Sequence, residues 1–316
     1  MRIERSNPEA IAHAAAILRR GGLVAFPTET VYGLGADAAS DKALAGVFAA
    51  KERPRFNPLI VHVRDIEHAQ TLAEFPPPAV RLAKAFWPGP LTLVLPRRAR
   101  APVSLLATAG LDSIALRVPA HETARLLLEE SGLAVAAPSA NRSGALTSTT
   151  AAHVAEHFGA VIDLILDAGP TPWGIESTIV GVAGTAPILL RFGALTREHI
   201  EAVIGPVGKD RGDTITAPGQ SRSHYAPKTP LRLNARTAVD GEALLAFGPP
   251  PAHGASVVRN LSKTGNLREA ATNLFAMLHE LDHTGCAVIA VMPIPDHDLG
   301  EAMNDRLRRG AAPKDT

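Results

Sequence analysis

Several short apolar runs in the first two thirds of this chain end abruptly in small polar residues. The run Leu23–Phe26 stops at Pro27 and continues as TET at 28–30, and the run Leu133–Ala137 continues as PSANRSG at 138–144. A third polar group, EST at 176–178, precedes the apolar pair Ile179-Val180. Hydroxyls, amides and carboxylates are seldom buried without partners. Their position at the ends of strands therefore predicts a ligand pocket at the edge of a sheet.

Strand-like runs and helical patterns interleave over residues 1–205 without a strict strand-helix-strand alternation. This pattern predicts an α/β fold (α+β-like) with a twisted mixed β-sheet and flanking helices that form a concave cavity. A helix is expected over Ser6–Arg20, where Ser6 and Glu9 have capping-box spacing, and another over Ser40–Lys51. Other expected strands are Leu59–Val63, Leu91–Leu95, Ser113–Val118, Leu164–Asp167, Ser177–Val182 and Ile188–Phe192.

The amino-acid composition changes near residue 205. Residues 206–230 are rich in Gly, Pro, Ser and Thr and carry charges without periodicity, which is typical of a linker. After it, short apolar runs flank a helical pattern over Leu267–His283. We therefore expect a first domain at 1–205, a linker at 206–230 and a small α/β domain at 231–316.

The charge balance limits the classes of partner. Lys and Arg number 32 against 31 Asp and Glu, so the formal net charge is +1. A nearly neutral chain makes a poor sequence-independent binder of nucleic acid, so direct binding of nucleic acid is not expected. The single cysteine, Cys286, excludes an internal disulfide and suits a reducing compartment. No apolar run reaches the ~18 residues typical of a membrane span, so we expect a soluble cytoplasmic protein without membrane contact.

Four cations occupy positions where a charge needs a partner. Because Pro54 favours extended geometry in the residue before it, Lys51 and Arg53 are expected to share one side of an extended segment. Two such cations could clamp a polyphosphate, or could simply complement the dipole of the preceding helix. Arg117 and Arg191 lie inside apolar strands, where they face either an anionic ligand or an internal carboxylate, Glu29 or Glu176.

Two histidine patterns suggest metal sites at first reading. The sequence HELDH at 279–283 fits the H-E-x-x-H motif of zinc proteases, but no third ligand follows, and we interpret the match as chance. His153 and His157 have i, i+4 spacing and are expected on a solvated helix face. No Walker P-loop, complete G-x-G-x-x-G or G-x-S-x-G motif occurs, and Ser139 has no evident base beside it. The pattern favours an anion pocket without a covalent nucleophile, and no bound metal is predicted.

Seven sequence blocks together resemble the YrdC-like family. They are PTETVYGLG, KERPRFNPLIVH, FWPGPLTLVL, ALRVP, APSANRSG, GIEST and ILLRFG, in the family's order over roughly residues 10–200. The later segments APGQSRSHYAP and GEAMNDRLRRG are similar to the long, two-domain form of the family, which implies a small Rossmann-like C-terminal domain. The resemblance implies synthesis of threonylcarbamoyl-AMP from L-threonine, bicarbonate or CO2, and ATP. Pyrophosphate is released, and the product serves tRNA N6-threonylcarbamoyladenosine modification.

The resemblance also implies roles for individual residues. Lys51 and Arg53 would be catalytic. The implied ATP-binding residues are Lys51, Arg53, Asn57, Ser113, Ser139, Asn141, Thr147, Arg191, His224 and Tyr225, with HYAP at 224–227 reaching over the nucleotide as a lid. The implied threonine-binding residues are Thr30, His62, Arg117, Ser177 and the backbone at Ala137. The hydroxyl and ammonium of threonine would be held at TET, with Tyr32 packing the cavity wall.

The resemblance further implies Mg2+ with ATP, and transfer of the product to a tRNA threonylcarbamoyl-transferase complex. Gln220-Ser221-Arg222-Ser223 stands where some relatives carry a Lys-Tyr-Arg run, which affects only the contacts of the lid. One alternative is a non-catalytic module that binds double-stranded RNA or the ribosome, which the charge of +1 disfavours. Another is a carbamoyl-transfer enzyme of hydrogenase maturation, whose paired-cysteine zinc motifs one cysteine cannot supply. A third is a family member that acts without threonine.

Overall fold

The structure, a computed structural model, describes residues 2–184, 186–210, 217–219, 224–249, 255 and 257–313. The larger of two β-sheets contains β1 (Arg2–Arg5), β2 (Val24–Pro27), β3 (Tyr32–Asp37), β4 (Ile60–His62), β5 (Leu91–Pro96), β6 (Ser113–Arg117), β7 (Val135–Ala136), β8 (Leu164–Asp167), β9 (Thr178–Gly181), β10 (Ile188–Arg191) and β11 (Gly208–Lys209). The smaller contains β12 (Leu231–Arg232), β13 (Glu242–Ala246), β14 (Val257–Asn260) and β15 (Val288–Val291).

Ten helices flank these sheets in the part of the chain that the structure describes. They are α1 (Pro8–Arg19), α2 (Asp41–Lys51), α3 (Ile66–Leu72), α4 (Pro77–Phe86), α5 (Leu105–Thr108), α6 (Glu122–Ser131), α7 (Ala151–Phe158), α8 (Arg197–Ile204), α9 (Leu267–Asp282) and α10 (Leu299–Ala311). None of these helices is long and apolar enough to cross a membrane.

The order of the strands confirms the prediction of a mixed sheet. The larger sheet runs β1-β8-β2-β3-β7-β4-β6-β5-β9-β10-β11. Parallel pairs such as β4 with β6 and β5 with β9 alternate with antiparallel pairs such as β2 with β3 and β5 with β6. The smaller sheet, β12-β15-β13-β14, is parallel throughout. Residues far apart in sequence, such as His62 and Arg117, thereby become direct neighbours on adjacent strands.

The first helix begins one residue later than the capping-box pattern indicates. Asn7, not Ser6, is the N-cap of α1, and its side chain accepts a hydrogen bond from the backbone of Ala10. The Ser6 hydroxyl instead lies 2.8 Å from that of Thr123 on α6. The capping-box prediction was therefore wrong, because asparagine caps a helix as well as serine does and Pro8 fits the first helical position.

The chain after α2 does not continue in the extended geometry predicted for residues 51–53. Lys51 is the last residue of the helix, and Glu52 caps it in the left-handed conformation, with φ of 52°. This cap reverses the chain, so Lys51 and Arg53 are brought together by a turn and not by the alternation of a strand. Lys51 and Arg53 are therefore close together, as predicted, but the prediction that an extended segment brings them together was wrong.

Short or polar elements account for most of the differences from the predicted element boundaries. No strand was predicted directly after TET, yet β3 forms there and pairs with β2. The polar strand β1 and the helices α3, α5 and α10 were not predicted. β1 gains its stability as a parallel edge strand beside β8, which its sequence alone does not show. Part of the expected linker, β11, likewise pairs with β10.

The two sheets do not have fully separate cores. The apolar cluster around α9 and β15 also contains Leu146, Ile175, Ala194 and Tyr225, all of which precede the smaller sheet in the chain. Each is at most 2% exposed. Residues around the larger sheet therefore complete the core of the smaller one.

We predict that Gly193→Ala destabilises the protein by about 3 kcal/mol or more, at the upper end of the range for an overpacked core. A Cβ at this position would lie 2.4 Å from the carbonyl carbon of Ser177 and the nitrogen of Thr178, which are backbone atoms that cannot rotate away. The free energy of unfolding, measured by chemical denaturation, tests this. Gly184→Ala is the control, because a Cβ there meets no atom within 4 Å, and it should change stability by less than about 0.5 kcal/mol.

Candidate functional site

A cavity opens at the strand ends that the sequence analysis singled out. The space between its walls, including its mouth, is about 530 Å³. Its walls come from distant parts of the chain and include Thr28, Thr30, Tyr32, Arg53, His62, Arg117, Ala137, Ser139, Glu176, Ser177, Arg191, Pro218, Gly219, His224 and Tyr225. The five residues predicted to hold threonine all line this cavity, as do five of those predicted to hold ATP.

Arg117 forms a buried ion pair at one end of the cavity. Its Nη2 donates to Oε1 of Glu29 at 2.6 Å, and its Nη1 donates to Oγ1 of Thr30 at 2.9 Å. The other carboxylate oxygen of Glu29 accepts from the backbone nitrogen of Ala120 at 3.0 Å. Of the two partners considered for Arg117, the internal carboxylate is therefore present. Glu29 is 5% exposed, and both of its carboxylate oxygens accept hydrogen bonds from the protein. It therefore has no unoccupied oxygen with which to bind an ammonium group.

Arg191 lies deep in the cavity wall without a carboxylate among its described hydrogen-bond partners. Its Nε and Nη2 donate to the carbonyl oxygen of Ser177 at 3.1 and 2.9 Å, and its Nη1 donates to that of Pro218 at 3.3 Å. The hydroxyl of Ser177 also accepts from Nη2 at 3.0 Å and lies 2.8 Å from that of Thr92. Burial lowers the pKa of Arg191, partly offset by the Tyr225 hydroxyl and reinforced by the charge of Arg306.

Arg53 has a similar environment across the cavity. Its Nε donates to the carbonyl of Asn57 at 3.3 Å and its Nη2 to that of Pro58 at 2.9 Å. Burial lowers its pKa to about 10, and the charge of Arg191 contributes in the same direction. Two guanidinium groups thus face one space with only neutral oxygens as described partners. Such a cavity favours an anion that brings the missing negative charge.

Lys51 lies behind the cavity wall. It is 1% exposed, and its Nζ donates to the carbonyl oxygens of Ser139, at 2.6 Å, and Asn141. Burial, followed by the charge of Arg53, holds its pKa well below the ordinary value. The structure therefore places Lys51 as the support of the loop that begins at Ser139, with its positive charge one layer behind the cavity.

Four other predicted ATP ligands also lie outside the cavity wall. Asn141 is fully buried and donates through Nδ2 to the carbonyls of Arg142 and Ala145, while its Oδ1 has no hydrogen-bond partner within the described ranges. Oδ1 of Asn57 is likewise buried and has no partner in the described part of the chain. Ser113 is half-buried at the start of β6. Their predicted roles, and that of Thr147, remain predictions.

Two histidines in the cavity have lowered pKa values. Burial and the charge of Arg117 lower the pKa of His62 to about 3, and its Nδ1 has no hydrogen-bond partner among the described residues. Burial and the surrounding cations, Arg53 foremost, hold the pKa of His224 well below its ordinary value. Each is positioned to act as a neutral hydrogen-bonding group and not as a cation.

Two residues of the predicted lid, His224 and Tyr225, line the cavity. The rings of His224 and Tyr225 pack edge-to-face with centroids 4.0 Å apart, and both residues are under 10% exposed. Ala226 pairs with Ala145 in an isolated bridge, which ties the segment to the loop after Asn141. The divergent segment Gln220-Ser221-Arg222-Ser223 lies outside the described residues.

Sequence reasoning missed a second buried ion pair beside this cavity. Oε2 of Glu176 accepts from Nε of Arg306 on α10 at 2.9 Å, and Oε1 accepts from the hydroxyl of Thr147 at 2.6 Å. Glu176 was considered as a partner for Arg117 or Arg191, but its true partner lies 130 positions away. The only available signal was that an arginine occurs within the amphipathic segment LGEAMNDRLRRG.

The histidine motifs meet at the contact between α7 and α9. The rings of His153 and His279 stack with centroids 3.9 Å apart, and Nε2 of His283 lies 2.8 Å from Oε1 of Glu156. His157 also packs edge-to-face on His279, with centroids 5.8 Å apart. The prediction that His153 and His157 line a solvated face was therefore wrong, because α9 covers that face. Throughout the described ranges, no group of three or more His, Cys, Asp or Glu side chains is arranged to hold a metal ion.

Two family models match the chain. One, described as "Telomere recombination" and covering Sua5, YciO and YrdC sequences, matches residues 16–193. The other, described as "Threonylcarbamoyl-AMP synthase, C-terminal domain", matches residues 195–312.

Full-length relatives bear the same activity name. The threonylcarbamoyl-AMP synthase of Pyrococcus abyssi is 42% identical, with 98% of this chain and 96% of the relative covered. That of Bacillus subtilis is 40% identical, with 97% and 94% covered. The crystal structure of P. abyssi Sua5 complexed with L-threonine superposes with a TM-score of 0.90 at 40% identity, covering 98% of this chain and 96% of the other.

We predict that Arg117→Met destabilises the protein by about 3–5 kcal/mol, because it leaves the buried Glu29 carboxylate without its partner. The double variant Glu29→Gln/Arg117→Met should recover much of that loss, since no uncompensated charge remains. Urea denaturation of the wild type, the single variant and the double variant measures both effects. Equal destabilisation of the single and double variants would contradict the assigned ion pair.

We predict that stability falls as the pH decreases below about 6.5, partly through His153, whose pKa is lowered to about 3 by burial and by the charge of His279. Between these two values the unfolded chain binds a proton at this position that the folded chain does not, so acid favours unfolding. His153→Gln removes up to about one proton taken up on unfolding, so the free energy of unfolding should fall less steeply with decreasing pH. His297→Gln, which changes an exposed histidine, should leave the dependence unchanged.

Proposed function

The chain belongs to the Sua5/YrdC family of threonylcarbamoyl-AMP synthases, and on this premise we propose that its cavity joins L-threonine, CO2 from bicarbonate, and ATP. The enzyme is a nucleotidyltransferase, and the products are threonylcarbamoyl-AMP and pyrophosphate. The observation that carries this proposal is the convergence of ten predicted ligand-binding residues, from distant parts of the chain, on one cavity.

The end of the cavity around Arg117 suits an amino acid. Three of the five guanidinium N–H groups donate to Gly89, Thr30 and Glu29, which fixes the plane of the group. The remaining two are the donors we assign to the carboxylate of threonine. The neutral His62 and the hydroxyl of Thr30 complete a polar surface that can hold the amine and the hydroxyl of the substrate without adding a second positive charge.

The end around Arg53 and Arg191 suits the phosphates of ATP. The amine of threonine first adds to CO2, losing a proton and forming a carbamate. A carbamate oxygen then attacks the α-phosphorus, the bond from that phosphorus to the bridging oxygen breaks, and pyrophosphate leaves with the bonding electrons. The carbamate is itself the nucleophile, so no enzyme residue needs to form a covalent bond.

The contribution of the protein is to hold two anions together that otherwise repel each other. Positioning of reactants and electrostatic stabilisation of charge in the transition state dominate catalysis of phosphoryl-type transfers. Arg53 and Arg191 both line the cavity and supply fixed positive charge there. Lys51 supplies a third charge and fixes the loop carrying Ser139, from which backbone and hydroxyl donors can reach a phosphate.

The described residues do not fit a protein-held magnesium ion. The carboxylates nearest to the cavity, Glu29 and Glu176, have both oxygens engaged by other groups of the protein. Mg2+ commonly binds through substrate phosphates and several waters. We therefore treat it as part of the ATP substrate, and no step of this mechanism is assigned to it.

The product is an activated carbamoyl group that a tRNA-modifying transferase complex would consume. The formal charge of +1 gives no support for direct tRNA binding, so we infer that the product leaves the cavity and is handed on. We place this reaction in the cytoplasm. The direct test of the function is pyrophosphate release that requires ATP, threonine and bicarbonate together, and release without threonine would contradict it.

We predict that Arg53→Ala lowers the rate of pyrophosphate release by about 10²-fold or more, the scale for losing one donor to the transition state. We predict a similar loss for Lys51→Ala, because it removes the support of the loop that carries Ser139. Arg55→Ala is the matched control, because Arg55 is exposed, lies two positions after Arg53 and does not line the cavity. It should retain nearly full activity. Near-normal release by both Arg53→Ala and Lys51→Ala would refute the assignment of the phosphate end.

A further inference from the structure

The last helix of the chain lies against the lid. The backbone nitrogen of His224 donates to the carbonyl of Arg309 on α10 at 3.3 Å. Gly310 approaches so closely that a Cβ there would lie 2.8 Å from the carbonyl oxygen of Tyr225. The backbone of Tyr225 has φ of 64°, in the left-handed region that an aromatic residue adopts only when its surroundings hold it there. Contacts with α10 are among those surroundings.

Arg306 on α10 contacts two residues that line the cavity, Glu176 and Tyr225. It is 1% exposed and donates to Glu176 at 2.9 Å and to the carbonyl of Phe192 at 2.7 Å. Its guanidinium carbon also lies 4.9 Å from the centre of the Tyr225 ring, in cation–π geometry. One side chain therefore contacts both the lid and the wall of the cavity, and Asp305 beside it completes its hydrogen bonds.

The pairing with Arg306 has an electrostatic consequence for the cavity. Glu176 lines the same cavity as Arg191, and the backbone of the next residue, Ser177, accepts hydrogen bonds from Arg191. Without Arg306, the carboxylate of Glu176 would be a buried charge without a cationic partner, and Arg191 is a nearby cation that it could capture. With Arg306 in place, the negative charge of Glu176 is balanced by Arg306. The positive charge of Arg191 then remains available to an anionic ligand.

We propose that Arg306 is a positioning residue of the nucleotide site, which holds Tyr225 over the cavity and keeps Glu176 from pairing with Arg191. Through this residue the C-terminal part of the chain contributes to ATP binding without contacting ATP. The proposal rests on the function proposed above.

The first test compares Arg306→Met with Arg308→Met. Arg308 lies on the same helix, but its side chain is 59% exposed and its ion pair with Asp296 spans 3.7 Å. In Arg306→Met we expect KM for ATP to rise about 10- to 100-fold, as for loss of one member of a buried charge pair. KM for threonine should change less than about twofold, because the described hydrogen bonds of Arg117 go to Gly89, Thr30 and Glu29 and not to Arg306. Arg308→Met should match the wild type.

The second test separates this role from a loss of folding. Glu176→Gln/Arg306→Met removes both charges, so it should be more stable than Arg306→Met and should recover part of the ATP affinity. Hydrogen exchange at the amides of His224 and Ala226 reports on the lid without any substrate. It should be faster in both variants that lack Arg306, and unchanged in Arg308→Met.

An unchanged KM for ATP in Arg306→Met would overturn the proposal. So would equal increases in both KM values without faster exchange at the lid, because that result indicates a general structural defect. If Arg306→Met does not fold, the KM for ATP and the hydrogen exchange at the lid are measured in Glu176→Gln/Arg306→Met instead, and the same outcomes apply. Failure of the wild type to release pyrophosphate would refute the proposed function instead, and the exchange measurement would still report whether Arg306 holds the lid.

Discussion

Burying positive charge without a matching carboxylate is the constraint on which this site depends. A guanidinium group removed from water is strongly destabilising unless other groups satisfy its donors. Arg53 and Arg191 meet this requirement mainly with carbonyl oxygens, from the turn after Arg53 and from the backbone at Ser177 and Pro218. Neutral acceptors satisfy the hydrogen bonds but leave the charge uncancelled. The cavity therefore has a positive electrostatic potential, which the charge of an anionic substrate can balance.

The position of the site could be predicted from the sequence because polar residues at strand ends are a local signal. TET, PSAN and EST each occur within a few residues of an apolar run, and all three contribute to the cavity wall. The partner of Arg117 was left open between a ligand and Glu29, because the sequence does not contain the register of β4 with β6 or the path of the chain after β2. The structure provides that register and shows Glu29 beside the guanidinium.

Interactions between distant segments could not be predicted from a single sequence. The pair of Glu176 with Arg306 spans 130 positions, and the stack of His153 on His279 depends on how α7 meets α9. The turn at Glu52 was missed for a different reason. A glutamate gives no sign that it will adopt a left-handed helix cap, which glycine usually occupies. The resemblance to a family supplied the roles of residues, but the spatial support of those residues came from the structure.

The shared apolar cluster has a consequence for how the molecule comes apart. Leu146, Ile175, Ala194 and Tyr225 belong to the core of the smaller sheet, although the chain places them before it. Pulling the smaller sheet away would expose these side chains to water and would remove the cover from α7 in the same event. Melting of the two halves should accordingly be coupled, so that a calorimeter records one heat-absorption peak where a pair of independently folding domains would give two.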